Sequence, residues 1–126
     1  MASTPPMAAQ GIVLFAHGSR DPLWRLPIEA VARRIAELAP QVPVRCAYLE
    51  LTEPDLETAV ADLLAQPIGQ ITVVPMFLGV GRHAREDLPL LMQGLRERHP
   101  GVRFTQQGAI GEDARLTELM AQIALS

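Results

Sequence analysis

Two stretches of the chain decide its fold: Gly11-Ile12-Val13-Leu14-Phe15-Ala16-His17-Gly18-Ser19-Arg20 and Ile71-Thr72-Val73-Val74-Pro75-Met76-Phe77-Leu78-Gly79-Val80-Gly81-Arg82-His83-Ala84-Arg85. Each begins with a short apolar run that is typical of a buried parallel strand, and each reaches a histidine beyond the point where that strand should end. In open α/β sheets, ligands bind outside the carboxyl ends of the strands. The two imidazoles are therefore expected to meet over one site.

The composition is that of a globular domain. The chain has 126 residues, of which 48% are hydrophobic and 20% are charged, and this length is enough to bury a core in one domain. The net charge of -3 gives no electrostatic reason to expect nucleic acid or an anionic membrane as a partner. All 11 basic residues are arginine, which excludes Schiff-base chemistry and a P-loop lysine.

The N-terminal residues and the single cysteine indicate where the folded domain begins and in which compartment it lies. Residues 1–10 are small or polar and lack a basic leader region, so we expect a flexible N-terminal tail followed by a folded domain over residues 11–126. No apolar run approaches membrane-spanning length. The single cysteine, Cys46, cannot form an intrachain disulfide, which favours a reducing compartment. We expect a cytoplasmic protein.

Apolar runs alternate with segments of helical period from Gly11 onward, and this alternation predicts four β-α units. The fold class expected is a single-domain α/β fold, in which helices cover both faces of a four-stranded parallel sheet. The predicted strands cover residues 12–16, 44–49, 71–77 and 102–107. The predicted inner faces of the four helices are Ile28, Val31, Ala32, Ile35 and Leu38; Leu56, Ala59, Val60, Leu63 and Leu64; Leu88, Leu91, Met92 and Leu95; and Leu116, Leu119, Met120 and Ile123.

Prolines predict two local features. Pro75 lacks an N–H and indicates an irregular end to the third strand. The segment Thr52-Glu53-Pro54-Asp55 has the composition of a helix start, with a capping residue and an early proline.

Three side chains follow the first three predicted strands at the same edge of the sheet: His17, Glu50 and His83. Two imidazoles and one carboxylate are a suitable ligand set for a divalent transition metal. Each of these three residues also fits a purely structural role, without any metal. A histidine is often a surface or hydrogen-bonding residue, and Glu50 fits the acidic pattern that precedes a helix.

Arginines surround the two histidines. Arg20, Arg82 and Arg85 are suited to binding carboxylates or phosphates, although they are also plausible as solvated surface residues. Trp24 fits either a pocket wall or packing in the core or an interface. His99 lies at the end of the third predicted helix, where a cation is favourable, and we leave it outside the site.

At these residues the chain resembles the class II tetrapyrrole chelatases, and its length resembles their small CbiX-type branch. The resemblance implies a chelatase-like, flavodoxin-like domain. The motifs occur in family order and span nearly the whole chain after Gln10: Ala16-His17-Gly18-Ser19-Arg20, Tyr48-Leu49-Glu50-Leu51, Val73-Val74-Pro75-Met76-Phe77-Leu78, Gly81-Arg82-His83-Ala84-Arg85-Glu86-Asp87-Leu88-Pro89 and Ile110-Gly111-Glu112-Asp113.

The resemblance implies that the chain inserts a divalent metal, cobalt or iron, into sirohydrochlorin, a precursor of cobalamin and sirohaem. His17 and His83 match the family histidines that bind the metal and assist proton removal, and Glu50 matches an acidic position found with them. No cofactor is implied beyond the metal substrate, Co²⁺, Fe²⁺ or Ni²⁺. Larger family members contain two such halves, so a homodimer is expected.

The residue types suit this chemistry. A tetrapyrrole loses two pyrrole protons as it receives the metal, and neutral imidazoles can hold the metal or accept the protons. The carboxylates of the substrate match the three arginines, and the apolar side chains of Leu78 and Val80 suit the macrocycle.

Two other functions stay open at this point. A non-catalytic metal carrier would use the same two histidines. A phosphatase would use His17 as nucleophile and Arg20 and Arg82 as phosphate clamps. The absence of an arginine immediately before His17 weakens the second alternative.

Overall fold

The computed structural model describes residues 9–126. Four parallel strands form one sheet in the order β2-β1-β3-β4, so the predicted α/β fold with a four-stranded parallel sheet is confirmed. The elements follow one another as β1 (Ala9–Ala16), α1 (Leu26–Leu38), β2 (Val44–Tyr48), α2 (Leu56–Leu63), β3 (Ile68–Pro75), α3 (Arg82–Arg98), β4 (Arg103–Gln106), a 3₁₀ turn η1 (Ile110–Glu112) and α4 (Ala114–Leu125).

The bounds of all four strands differ from the predicted ones: β2 ends at Tyr48 instead of residue 49, and β4 covers Arg103–Gln106 instead of residues 102–107. β1 begins at Ala9 and β3 at Ile68, and these early residues pair across an irregularity in register. Ala9 and Gln10, which were predicted to belong to the N-terminal tail, are therefore part of β1. Residues 1–8 of the predicted tail lie outside the described part of the chain. β3 ends at Pro75, two residues before the predicted bound at residue 77, and the irregular end predicted from the missing N–H of Pro75 is observed there; the N–H of Met76 then donates to the carbonyl of Phe15 at 2.7 Å.

One face of the sheet carries the hydrophobic core. α2 and α3 cover this face. Four residues of the predicted inner face of α2 are buried, namely Leu56, Ala59, Val60 and Leu63, whereas the fifth, Leu64, follows the end of the helix and is half-buried. Burial of each large aliphatic side chain stabilises the fold by about 1.5–3 kcal/mol. The strands supply Val13, Phe15, Ala47, Ile71, Val73 and Phe104 to the same core.

α1 covers the other face and contacts β2 and β1. Its predicted inner face is only partly correct: Ile28, Ala32 and Ile35 are half-buried, whereas Val31 and Leu38 are exposed. The physical reason is the sheet order, because β2 is an edge strand and a helix over it extends beyond the sheet.

α4 contacts η1, and each of its residues is exposed or half-buried. The predicted burial of Leu116, Leu119, Met120 and Ile123 is therefore wrong for the single chain. Leu119 is 51% exposed and Ile123 63% exposed. Within residues 9–126, no helix is long and apolar enough to cross a membrane.

Candidate functional site

The sheet order decides how the predicted site residues are arranged. β1 lies between β2 and β3, and it leads directly into His17. Glu50 follows β2 on one side of His17, and His83 lies in the first turn of α3, beyond β3 on the other side. His17 is therefore the central group, with a carboxylate and an imidazole on opposite flanks.

His17 and Glu50 form a direct pair, with 3.0 Å between Nε2 and Oε1. An ionised carboxylate only accepts hydrogen bonds, so Nε2 carries the proton in the neutral ring and Nδ1 keeps its lone pair. The two side chains are 49% and 55% exposed, so water screens their attraction. The pair fixes the tautomer of His17 more than it stabilises the fold.

Gly18 makes this pairing possible. Its φ is +104°, and a Cβ atom there would lie 1.7 Å from the carbonyl oxygen of Glu50. The backbone N–H of Glu50 donates to the carbonyl of His17 at 3.1 Å. Only glycine satisfies both the left-handed conformation and the close approach of these two loops.

A second contact between the same loops joins Ser19 to Thr52. The Thr52 hydroxyl donates to the Ser19 carbonyl at 2.7 Å and is 2.9 Å from the Ser19 N–H, which donates to it. Thr52 is thus a clamp on the loop that carries His17, and Asp55 is the residue that caps α2, accepting from Thr58 N at 2.8 Å. The capping function predicted for segment 52–55 therefore belongs to its last residue.

A cavity of about 430 Å³ opens beside His17. Both histidines line it, and most of the remaining wall is apolar or backbone, as is usual for sites that bind organic ligands. The lining residues are His17, Trp24, Met76, Phe77, Leu78, Gly79, Gly81, Arg82, His83 and Ala84.

The wall on the β3 side is held from behind by η1. The Gly111 N–H donates to the carbonyl of Phe77 at 2.9 Å, and a Cβ atom at Gly111 would lie 1.8 Å from the carbonyl oxygen of Leu78. The backbone of Leu78 is therefore fixed, although its side chain is 65% exposed.

The predicted substrate residues separate into two groups. Arg82 and Leu78 line the cavity together with the histidines, and Arg82 also donates to Glu86 at 3.0 Å. Arg20 and Arg85 are exposed side chains outside the lining. Val80 is half-buried and packs against the hydrophobic core, so its predicted contact with a macrocycle is not supported.

The predicted set of three metal ligands is not assembled. Among residues 9–126, no group of three His, Cys, Asp or Glu side chains is placed to hold a metal ion. The reason is geometric. Glu50 follows β2 and His83 follows β3, and these two strands lie on opposite sides of β1, so they are two strand spacings, roughly 10 Å, apart. Glu50 lines a separate cavity of about 240 Å³, beside Thr52 and Glu53.

Burial controls the titration of two groups under α1. It raises the pKa of Tyr48 to about 12, with additional contributions from nearby Cys46 and Glu29. Burial also raises the pKa of the Cys46 thiol, which is free and half-buried. Both groups are therefore neutral near neutral pH, and the predicted place of Cys46 within an apolar stretch is consistent with its unreactive setting.

Sequence reasoning missed two of the supporting residues. The sequence places Thr52 in a predicted helix start and Gly18 in a motif, and neither pattern indicates a contact between the two loops. The signal for Gly18 was its place directly after a strand-end histidine, where a tight turn is required. No signal in the sequence pointed to the contact between Thr52 and Ser19, because the two residues are 33 positions apart.

The family model for CbiX matches residues 11–125. The sirohydrochlorin cobaltochelatase of Methanopyrus kandleri is 35% identical over 81 residues, which cover 64% of this chain and 57% of the relative. The chloroplastic sirohydrochlorin ferrochelatase of Arabidopsis thaliana is 28% identical over 112 residues, covering 89% of this chain and 50% of that protein.

Solved structures agree with the family match. The CbiX protein of Marinobacter aquaeolei VT8 is 36% identical, with a TM-score of 0.79 and coverage of 91% of this chain and 93% of its own. The sirohydrochlorin chelatase SirB of Bacillus subtilis subspecies spizizenii, solved in complex with cobalt, is 28% identical with a TM-score of 0.76. The match extends over 90% of this chain and 49% of the SirB chain. The chain described here therefore belongs to the CbiX family.

Proposed function

We propose that the chain inserts a divalent metal, cobalt or iron, into sirohydrochlorin. The observation that carries this proposal is that His17, directly after β1, and His83, in the first turn of α3 beyond β3, line one largely apolar cavity. Relatives named as sirohydrochlorin cobaltochelatase and ferrochelatase support the choice of substrate. Arg82 at the same cavity supplies a donor for a substrate carboxylate.

The proposed mechanism assigns proton transfer and metal delivery to the two imidazoles. The metal enters the ring as two pyrrole N–H protons leave, so charge is balanced and no electron is transferred. The reaction then needs no redox cofactor beyond the metal substrate, Co²⁺, Fe²⁺ or Ni²⁺. Nδ1 of His17 holds the lone pair that binds the metal or takes a proton, because Nε2 donates to Glu50.

Glu50 acts in this mechanism through His17. It orients the imidazole and offsets the positive charge that develops when the ring accepts a proton. His83 acts from the other flank, in the first turn of α3. The proposal therefore uses two imidazoles at the cavity with one supporting carboxylate, in place of a ready-made ligand set of three.

The test is an anaerobic insertion assay in which the visible absorbance of sirohydrochlorin is followed with Co²⁺, Fe²⁺ and Ni²⁺. We expect His17→Ala and His83→Ala each to abolish protein-dependent insertion. His99→Gln is the matched control. His99 does not line the cavity, its Nε2 lies 3.2 Å from Oε1 of Glu57, and glutamine keeps a hydrogen-bond donor at this position. Full turnover in either folded alanine variant would remove that histidine from the mechanism.

Two further measurements, of ligand binding and of phosphate-ester hydrolysis, separate the alternatives. Metal binding by the wild type without any binding of sirohydrochlorin would indicate a metal carrier. Sustained hydrolysis of a phosphate ester would indicate a phosphatase, although Arg20, one of its two predicted clamps, lies outside the cavity lining.

We also propose that the active species is a homodimer. The chain aligns with about half of the SirB chain, and a second copy would supply the other half. Apolar residues of α4 support this, since Leu119 and Ile123 are exposed at helical spacing and each would contribute about 1.5–3 kcal/mol if fully buried. Two-fold association is the commonest closed assembly of soluble chains.

Sedimentation across a dilution series, read together with specific activity, tests the dimer. We expect Leu119→Glu and Ile123→Glu to shift the chain to monomer and to lower activity. Ala121→Glu adds the same charge on the opposite side of α4 and should leave the assembly intact. A monomer with full activity per chain at every concentration would contradict the proposal.

We propose the cytoplasm as the place of the reaction, and the free thiol of Cys46 supports a reducing compartment. Fe²⁺ and Co²⁺ are also kept in their divalent state under reducing conditions.

A further inference from the structure

Trp24 is the single tryptophan of the chain, and it is 38% exposed at the wall of the cavity beside His17. Tryptophan is a large apolar side chain, and partial exposure forgoes part of the free energy that its burial provides. Leu78, Gly79, Gly81 and Arg82 line the same cavity from the β3 side. The indole is therefore presented to the space in which a ligand would sit.

The backbone of Trp24 is fixed by a series of hydrogen bonds that begins at the Thr52 clamp. The Ser19 hydroxyl accepts from the Asp21 N–H at 3.1 Å. The Asp21 carboxylate accepts from the Leu23 N–H at 2.9 Å, and its carbonyl accepts from the Trp24 N–H at 3.1 Å. These hydrogen bonds fold the segment after His17 into a turn, and Trp24 at its end lines the cavity.

The indole ring is supported from behind by Tyr48. The two rings make an edge contact, with centroids 6.2 Å apart and an interplanar angle of 60°. Tyr48 is only 2% exposed, so it is fixed by the fold and limits the positions that the indole can take. A side chain that is supported on one side and open on the other has the form of a preorganised contact surface.

We propose that Trp24 packs against the tetrapyrrole macrocycle and forms the β1-side wall of its binding slot. This inference rests on the proposed function, and it adds a residue to the substrate site. A flat aromatic macrocycle gains from contact with an aromatic side chain through area burial and favourable ring geometry. Trp24 acts as a binding residue, so its contribution is shared by substrate and transition state and appears in KM more than in kcat.

The first measurement is the affinity for metal-free sirohydrochlorin, followed through the visible absorbance of the macrocycle. Trp24→Ala should weaken binding about tenfold and raise KM without a matching loss of kcat. Trp24→Phe keeps an aromatic ring and should bind close to the wild-type level. Leu23→Ala is the matched control, because Leu23 is the exposed neighbour that does not line the cavity.

The second measurement does not depend on a destabilising variant. A chain labelled with fluorotryptophan has one fluorine resonance, since Trp24 is the single tryptophan. The ring current of metal-free sirohydrochlorin should shift this resonance on binding, because such shifts act over short distances.

The outcomes separate this inference from the function on which it rests. If the macrocycle absorbance shows no binding to the wild type, the proposed function fails. If sirohydrochlorin binds the wild type and Trp24→Ala equally, or if it binds without moving the fluorine resonance, then Trp24 is not a wall of the slot and the proposed function stands.

Discussion

Thr52 binds both backbone groups of Ser19 through a single hydroxyl, at 2.7 Å to the carbonyl and 2.9 Å to the N–H. This reciprocal contact joins the loops after β1 and β2. It therefore holds the segment from which both His17 and Trp24 reach the cavity.

Thr52→Val should destabilise the protein and lower activity together. The substitution keeps the shape of the side chain but leaves both Ser19 groups unpaired, at a cost of about 1–3 kcal/mol. Thermal unfolding and kcat/KM for metal insertion measure the two effects. Thr52→Ser retains the hydroxyl and should restore both; a valine variant with wild-type stability and activity would show that the clamp is dispensable.

Gly18→Ala should be more damaging than an ordinary glycine substitution. The new Cβ would collide with the Glu50 carbonyl. The positive φ at this position would cost alanine about 1–2 kcal/mol more. We expect a lower unfolding temperature and loss of insertion activity, since His17 and Glu50 are pushed apart. Gly101→Ala has open space around its Cβ and serves as the control, and equal effects of the two substitutions would refute the argument.

Glu50→Gln tests the carboxylate without removing a hydrogen-bond acceptor from His17. Loss of the negative charge should lower metal affinity or turnover about tenfold, the lower end of the range found for groups that orient metal-binding histidines. Turnover at several metal concentrations provides the measurement. Glu53→Gln removes a neighbouring charge from the same acidic cavity and should have little effect; unchanged turnover in both variants would leave Glu50 as a solvated residue.

Among the arginines, Arg82→Ala should raise KM for sirohydrochlorin most. Arg82 lines the cavity, whereas Arg20 and Arg85 lie outside its lining and should contribute through longer-range attraction that salt reduces. KM measured at low and raised salt distinguishes the two cases. Arg33→Ala, an exposed site on α1, is the control. Equal KM for all four variants would mean that the arginines do not bind the substrate.

The sequence predicted the central part of the fold because the apolar signals there were strong. The inner face of α2, for example, follows directly from the spacing of Leu56, Ala59, Val60 and Leu63. The first residues of β1 were missed because Ala9 and Gln10 are not apolar in pattern and gain their strand conformation from pairing with β3.

Predictions that depend on the environment of a helix were weaker. An apolar face in the sequence shows that a helix can be covered, but it does not show by what. Ile123 on α4 illustrates this, because it is apolar, correctly spaced and exposed in the single chain.

The site was predictable where a strand leads straight into a residue and unpredictable where two loops meet. His17 directly follows β1, and it lines one cavity with His83, as the sheet topology predicts for side chains beyond the carboxyl ends of parallel strands; the roles of both residues stay predictions. Glu50 was placed at the correct edge, but its flank relative to His83 depends on strand order, which the sequence does not reveal.

Tyr48 provides a prediction about pH. Its folded pKa of about 12 lies above the unfolded value near 10, so the neutral phenol is favoured by folding. This contribution to stability is fully present below pH 10 and is lost as the pH rises from about 10 to 12. We expect the free energy of unfolding to fall in that window and Tyr48→Phe to flatten the decline. A wild-type chain with the same alkaline profile as the phenylalanine variant would contradict this assignment.

The close approach of Gly111 to Leu78 makes the cavity wall a starting point for redesign. The backbone at position 78 is held from behind, while the side chain projects into open space. A library of replacements at this position should therefore reshape the rim of the slot and alter which macrocycles are accepted, with the scaffold left in place. In a Gly111→Ala background, the same replacements should no longer change the rim alone, because the new Cβ would displace the backbone of Leu78.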